Sequence, residues 1–302
     1  MTTGPQSGAP EPGLPPRSVD ALLRAARGGD GRASCRLGDI YREGQGVGQD
    51  WDEAFRWYSL GASQGDAHAQ NNLATMFLRG VGCREDGARA VFWYRKSAAQ
   101  GHLTAQANLG KRYLHGEGTA PDPAEAFRWF LAASRQGDLA STWELGTMYR
   151  FGRGVKRNIV AAAGFHLNAA RGGVVAGELS LGDYFDELQD IALSGDQVAS
   201  RLLSDMHCLG LGVEANPVLT WTWIRWAKER CKPVDDPAEI AEVEAAFIFY
   251  EIWVSAAARR QGERVLEALL KPLPRTMRER PMPRVRFKRR RSTGSGGEKE
   301  SA

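Results

Sequence analysis

The chain has 302 residues, of which 42% are hydrophobic and 25% are charged, and its formal net charge at pH 7 is +4. This composition is typical of an ordinary soluble protein. No stretch approaches the run of about eighteen apolar residues that a membrane-spanning helix needs, so we predict no transmembrane segment.

The chain begins with residues 1–17, which are rich in proline and glycine. They have neither a basic start nor an apolar core, so they do not form a secretory signal, and we predict a disordered leader. Residues 18–29 start with SVDALLRAAR and end at Gly28 and Gly29, a pattern that predicts a short helix. We expect this helix to cap the N-terminal end of the repeats that follow.

A repeat of 36 residues occupies the region from residue 30 to residue 233. Its marker is a leucine followed by a small residue, with an aromatic residue four positions after the leucine. The marker leucines are Leu37, Leu73, Leu109, Leu145 and Leu181. A fixed period of this length indicates stacked helical repeats.

Each repeat predicts two helices, which we name helix A and helix B. Ala105, Leu109, Gly110 and Tyr113 have the spacing of one helical face and define helix A. A Gly-x-Gly pair follows in the first four repeats and should end helix A, because glycine adopts the left-handed conformation. An Asp or Asn thirteen residues after the leucine should cap helix B. These predicted caps are Asp50, Asp86, Asp122 and Asn158.

Helix B carries an alanine and, three residues later, a large aromatic residue. We predict that the alanine lets the helices approach closely and that the aromatic ring fills the gap between neighbouring repeats. The aromatic residues are Trp57, Trp93, Trp129 and Phe165. One hairpin cannot bury its apolar face alone, so stability should come from stacking.

The fifth repeat, at Leu181, lacks the glycine pair and the capping residue at the expected places. A sixth, weaker repeat begins at Leu203, only 22 residues later. Its glycine pair, cap and aromatic residue are Gly210, Gly212, Asn216 and Trp223. We therefore predict a shortened fifth repeat.

The blocks LGDIYREGQGVGQDWDEAFRWYSLGASQGDAHAQ and LGTMYRFGRGVKRNIVAAAGFHLNAARGG resemble Sel-1-like repeats, which are relatives of the tetratricopeptide repeat. The resemblance covers about residues 19–230. It implies an all-α fold, a right-handed superhelix (solenoid) of about five to six helix hairpins. It also implies a scaffold or adaptor for other proteins, without catalytic residues.

In the resembled fold, helix A lines a concave groove, and positions two, five and six after the marker leucine point into it. The candidate protein-binding residues are Asp39, Arg42, Thr75, Arg79, Lys111, His115, Thr147 and Arg150. The set leans basic, which favours an acidic segment as ligand; the alternative is that these residues form only solvated helix faces. Asn72 and Asn108, next to the marker leucine, either hold neighbouring backbone or clamp a bound peptide.

Residues 234–270 lie beyond the repeats and predict a C-terminal helical cap. Asp236, Pro237 and Glu239 form a helix-start signal. The strongly apolar run from Phe247 to Val254 should cover the last repeat, since an open end would expose the core. Alternatively, this run is a docking surface for a second copy or a partner.

Residues 271–302 predict a disordered tail, in which the stretch 271–291 contains ten Lys/Arg and one Glu. The densest part of this basic tail consists of Arg284, Arg286, Lys288, Arg289, Arg290 and Arg291. Such a segment can bind nucleic acid, anionic lipid or an acidic protein through salt-sensitive attraction. The alternative is a solvated tail that only aids solubility.

Nothing in the sequence predicts catalysis, a metal or a cofactor. The five histidines share no metal-ligand spacing, no nucleophile motif occurs, and CxxC is absent. The four cysteines fall at unrelated repeat positions, which favours free thiols in a reducing compartment, the cytoplasm. The favoured function is a non-catalytic scaffold that binds a partner peptide or domain in the groove. The alternative is a nucleic-acid-associated or anionic-surface-associated protein that acts through the basic tail.

Overall fold

The structure is a computed structural model of the chain and describes residues 16–230 and 237–270. Over these ranges the chain forms fifteen α-helices and no strand, which confirms the all-α prediction. The helices are α1 (Pro16–Arg27), α2 (Gly31–Glu43), α3 (Trp51–Ser63), α4 (Ala67–Arg79), α5 (Gly87–Ala99), α6 (Leu103–His115), α7 (Pro123–Arg135), α8 (Leu139–Phe151), α9 (Ile159–Arg171), α10 (Val175–Asp183), α11 (Phe185–Leu193), α12 (Gln197–Leu209), α13 (Pro217–Arg230), α14 (Pro237–Trp253) and α15 (Ala256–Leu270).

The helices fall into two compact units. Unit 1 comprises the described residues through Ser141 together with residues 153–155. Unit 2 comprises residues 142–152 and the described residues from Lys156 onward. Unit 1 contains three hairpins, α2–α3, α4–α5 and α6–α7, and α1 packs against α2.

The predicted caps determine where the helices begin and end. Asp50, Asp86, Asp122 and Asn158 each accept a hydrogen bond from a backbone N–H in the first turn of helix B, which confirms the prediction. The first glycine of the pair ends helix A, as Gly116 does with φ +73°. The second glycine has a further role. At Gly118, φ is +79°, and an added Cβ would lie 2.2 Å from the carbonyl oxygen of Gly87 in the preceding hairpin. Glycine therefore lets consecutive repeats touch backbone to backbone.

The completely buried ring of each hairpin comes one residue later than the aromatic position singled out in the sequence. Trp57, Trp93, Trp129 and Phe165 are half-buried. The residues that follow them are at most 1% exposed: Tyr58, Tyr94, Phe130 and His166. An added Cβ on Gly38 would lie 2.6 Å from the ring of Tyr58, and one on Gly110 would lie 2.7 Å from the ring of Phe130. The buried ring of helix B therefore packs directly on the small residue that follows the marker leucine. We call this contact the ring–glycine contact where the small residue is glycine.

A ladder of glutamines links the hairpins of unit 1. Gln100 donates to Gln70 (Nε2 to Oε1, 2.8 Å), and Gln70 donates to the carbonyl oxygen of Ala62 (3.2 Å) in the preceding helix B. The same arrangement recurs one repeat later, where Gln136 donates to Gln106 at 2.7 Å. Gln70 and Gln106 are buried, so these bonds satisfy polar groups that would otherwise destabilise the stack.

The fifth repeat is short, as predicted. Helices α10 and α11 have nine residues each, whereas α2 to α9 have thirteen. Tyr184 alone separates the two helices, and both Tyr184 and Phe185 are buried. The hairpin therefore turns without the Gly-x-Gly loop of its neighbours.

Helices α14 and α15 pack on α13 within unit 2. Trp221 and Ile224 of α13 form a buried cluster with Val243 and Tyr250 of α14. Gly262 of α15 approaches Trp221 so closely that an added Cβ would lie 2.8 Å from the indole. Helix α14 begins at the proline of the predicted helix-start signal.

The ring–glycine contact predicts an exception to the usual rule that replacing glycine with alanine stabilises a helix. Gly110→Ala should lower the free energy of unfolding by about 1–3 kcal/mol, because the new methyl group would overlap Phe130. Gly164→Ala in α9 is the control, since no neighbouring atom lies within 4 Å of its added Cβ. That change should raise the free energy of unfolding by up to about 1 kcal/mol. Urea denaturation measures the free energy of unfolding of both variants. If both variants change it in the same direction, the proposed role of the ring–glycine contact is wrong.

In the fourth repeat the buried ring is a histidine. His166 Nδ1 lies 2.7 Å from the hydroxyl of Tyr184, and Nε2 lies 3.3 Å from Oγ1 of Thr147. Burial lowers the pKa of His166, a hydrogen bond to the backbone of Trp143 opposes this shift, and the charges of Arg150 and Asp183 act in opposite directions, which leaves the pKa at about 4. The histidine is therefore neutral in the folded protein at pH 7.

His166 should make folding sensitive to acid. The unfolded chain binds a proton at this histidine below about pH 6.5, whereas the folded chain resists it down to about pH 4, so stability falls as the pH falls through this window. The loss between pH 7 and pH 4 should be about 3 kcal/mol from this residue. His166→Phe introduces the ring that the third repeat has at Phe130, and it should remove this part of the dependence of stability on pH. His207, whose pKa burial also lowers to about 4, and His102, whose pKa burial lowers as well, contribute to the slope that remains. Urea denaturation between pH 4 and pH 7 measures the slopes, and a parental slope in the variant would refute this role.

Candidate protein-binding surface

The eight predicted groove residues are divided between the two units. Helices α2, α4 and α6 of unit 1 carry Asp39, Arg42, Thr75, Arg79, Lys111 and His115. The part of α8 in unit 2 carries Thr147 and Arg150.

The residues two positions after the marker leucine hold the polar end of the buried ring. Asp39 accepts a hydrogen bond from the Tyr58 hydroxyl at 2.7 Å, and Thr75 lies 2.9 Å from the Tyr94 hydroxyl (Oγ1 to Oη). Thr147 has the corresponding contact with His166. In the third repeat the ring is Phe130, which has no polar atom. Of the residues two positions after the marker leucine, Lys111 is therefore the one that has no polar ring atom to bind.

Two of the predicted cations are neutralised by nearby carboxylates. Arg42 forms ion pairs with Asp39 and Glu43, and its Nε donates to the hydroxyl of Tyr58 at 3.0 Å. Arg150 pairs with Asp183 at 2.9 Å. These guanidinium groups have less charge to offer a ligand than the sequence suggests.

Arg79 and Lys111 differ from those two arginines. Arg79 is exposed on α4 and Lys111 is half-buried on α6. Neither forms an ion pair with any residue in the ranges that the structure describes. Of the predicted groove arginines and lysines in unit 1, these two therefore remain available to an anionic group.

An open groove of about 800 Å³ lies in unit 1 between α1, α2 and α4. Its walls are formed by Ala21, Leu22, Ala25, Asp30, Arg32, Ala33, Cys35, Arg36, Asp39, Asp66, His68 and Asn72. Of the predicted groove residues, Asp39 is the one on this wall. The mixture of apolar α1 side chains with charged helix-A side chains is what a bound peptide needs for both affinity and orientation.

Sequence reasoning missed Arg36 and His68, which both line this groove. The repeat pattern could have identified Arg36, because it directly precedes the marker leucine, as Asn72 does in the next repeat. Asn72 lines the groove, and its Oδ1 accepts a hydrogen bond from Asn71 at 3.3 Å.

Two histidines join the starts of α4 and α6. His102 Nε2 lies 3.0 Å from His68 Nδ1, and the rings meet edge to face at 4.6 Å. His102 Nδ1 accepts the backbone N–H of Ala105 at 3.2 Å, so the proton of His102 sits on Nε2 and points at His68. Burial and the neighbouring His68 lower the pKa of His102, which keeps this tautomer neutral.

The described residues contain no group of three His, Cys, Asp or Glu side chains placed to hold a metal ion. Cys35, Cys83 and Cys208 are free thiols, and burial raises the pKa of Cys35. Across the described helices, none is both long enough and apolar enough to span a bilayer.

The basic tail, with Arg284, Arg286, Lys288, Arg289, Arg290 and Arg291, lies outside the described residues, as do Cys231 and most of the predicted leader.

The Sel1 repeat is the family whose sequence pattern matches this chain. The matches cover residues 31–66, 67–102, 103–138, 139–174 and 198–225, more than half of the chain. The stretch between the last two matches corresponds to the short helices α10 and α11. No curated protein matches the chain.

Several solved structures are similar to this one, including the following two. A protective antigen of uropathogenic Escherichia coli with an SLR fold is 26% identical, with a TM-score of 0.54 over 83% of this chain. This chain spans 59% of the length of that protein. A Sel1 repeat protein from Oxalobacter formigenes is 27% identical, with a TM-score of 0.51 over 72% of this chain and 98% of its own.

Proteins built from Sel1 repeats are generally interaction scaffolds for other proteins. The five matched repeats, the helix hairpins and the similarity of both solved structures agree, and the chain belongs to the Sel1 repeat family.

Proposed function

We propose that this chain is a non-catalytic scaffold that binds a peptide segment of a partner protein along the helix-A side of unit 1. The observation that carries this proposal is the open groove of about 800 Å³ between α1, α2 and α4. Leu22 and Ala25 supply apolar contact there, and Arg36 and His68 supply hydrogen-bond donors. Membership of the Sel1 repeat family supports the same function.

The ligand is an extended acidic segment that runs from this groove along α4 and α6 to Arg79 and Lys111, which lie outside the groove walls. Arg79 and Lys111 support this choice, because neither is neutralised by an ion pair within the described residues. A carboxylate on the ligand gains a charge-assisted hydrogen bond at each of them. Attraction of this kind mainly sets the association rate and the choice of partner.

The cytoplasm is the compartment that we propose for this scaffold. Cys35, Cys83 and Cys208 are free thiols, which persist most readily in a reducing environment.

The test is a pair of charge reversals. Arg79→Glu with Lys111→Glu should weaken binding of a partner captured by the full chain by about tenfold or more, since each lost charge-assisted bond contributes roughly 1 kcal/mol. Titration calorimetry at physiological salt measures the affinity. The matched control is Lys96→Glu with Arg135→Glu, which reverses two exposed charges on α5 and α7, both of helix-B type.

The control should bind as tightly as the parent. Parental affinity in the Arg79/Lys111 variant, at unchanged melting temperature, would refute this binding surface. Capture of nucleic acid alone would refute the scaffold function.

A further inference from the structure

Helix α14 has a second apolar face that the core does not use. Its inner side packs on α13 through Val243, Tyr250 and Val254. On the opposite side lie Ile248, Phe249, Ile252 and Trp253, which are 59%, 50%, 78% and 73% exposed. We call these four residues the outer face of α14.

The outer face is a continuous patch rather than scattered side chains. Ile248 and Ile252 form one row at a spacing of four residues, and Phe249 and Trp253 form the adjacent row. The rings of Phe249 and Trp253 stack at 5.7 Å. The other large apolar side chains exposed in the described residues are spread over α3, α5, α8, α10, α12 and α15. A clustered patch of this kind marks an interaction site.

The charges of α14 identify what kind of segment fits there. The helix contains four glutamates and no lysine or arginine. Glu244 and Glu251, both exposed, stand four residues before and three residues after Ile248, so they border the outer face. Glu251 also forms an ion pair with Arg259 of α15 at 3.7 Å, so Glu244 has more charge to offer. Pairing this face with that of a second copy would bring rows of like charge together, which is unfavourable. The fitting occupant is basic.

The chain itself contains a segment with this chemistry. Residues 271–291 contain ten Lys/Arg and one Glu. Five apolar residues alternate with these charges: Leu273, Met277, Met282, Val285 and Phe287. Arginine side chains also stack favourably on exposed Trp and Phe rings.

The segment can reach the outer face. Only Val254 and Ser255 separate α14 from α15, so the start of α15 lies next to Trp253. The fifteen residues of α15 span about 22 Å, and residue 271 follows directly. A segment of 21 residues extends up to about 70 Å, which is ample for a return to α14.

We propose that residues 271–291 dock on the outer face of α14 in the same chain. Their apolar side chains cover Ile252 and Trp253, their arginines stack on the exposed rings, and their charge faces Glu244 and Glu251. The contact hides the apolar face and offsets a small part of the positive charge of residues 271–291. A ligand that binds either the outer face of α14 or residues 271–291 would break the contact and so expose both of them.

Tryptic cleavage within residues 271–291 tests this contact in the full chain. Docking should make the initial cleavage rate about tenfold slower than that of a synthetic peptide with the same residues, since a bound segment must open before it is cut. Mass spectrometry assigns each cleaved bond. Ile252→Ser with Trp253→Ser should raise the rate to that of the peptide.

Two further variants separate the contact from general effects. Val175→Ser with Leu179→Ser replaces two apolar residues on α10 that are also more than half exposed, and it should leave the slow cleavage unchanged. Glu244→Gln with Glu251→Gln should raise the rate part of the way. Equal cleavage in the parent, the α14 variant and the peptide would overturn the proposal. Slow cleavage that depends on protein concentration would assign the docked segment to a second copy and would also overturn it.

Discussion

The repeat depends on one contact, the ring of helix B that sits on the small residue of helix A. Gly38 and Gly110 leave no room for a methyl group beneath Tyr58 and Phe130. The distance between the two helices is therefore fixed by the thickness of an aromatic ring. Because protein interiors are close-packed, the other contacts between the two helices of the hairpin depend on this distance.

This contact also decides which helix-A residues remain available for binding. A buried tyrosine or histidine needs a partner for its polar atom, and the residue two positions after the marker leucine supplies it. Asp39 and Thr75 are used in this way, whereas Lys111 faces a phenylalanine and is not. A surface that looks uniform in the repeat pattern is thus divided between residues that serve the core and residues that can serve a ligand.

The sequence predicts the hairpins well because their signals are local. A cap such as Asp50 and a turn glycine such as Gly116 act within a few residues of their own position. The choice between Trp57 and Tyr58 as the innermost ring is different, since two adjacent aromatic residues lie only about 100° apart on a helix. Only the packing of the second helix decides which of them is buried. The groove is harder still to predict, because one wall comes from α1, which precedes the first complete hairpin.

The glutamine ladder has a consequence for how unit 1 comes apart. Each rung joins one hairpin to the carbonyl of the hairpin before it, so fraying of a single repeat leaves buried amides unsatisfied in its neighbour. The rungs end with Gln136, and the equivalent positions one period later are Thr142 and Gly172. We therefore expect the three hairpins of unit 1 to open together as one cooperative unit, whereas the repeats of a solenoid without such hydrogen bonds can open one at a time.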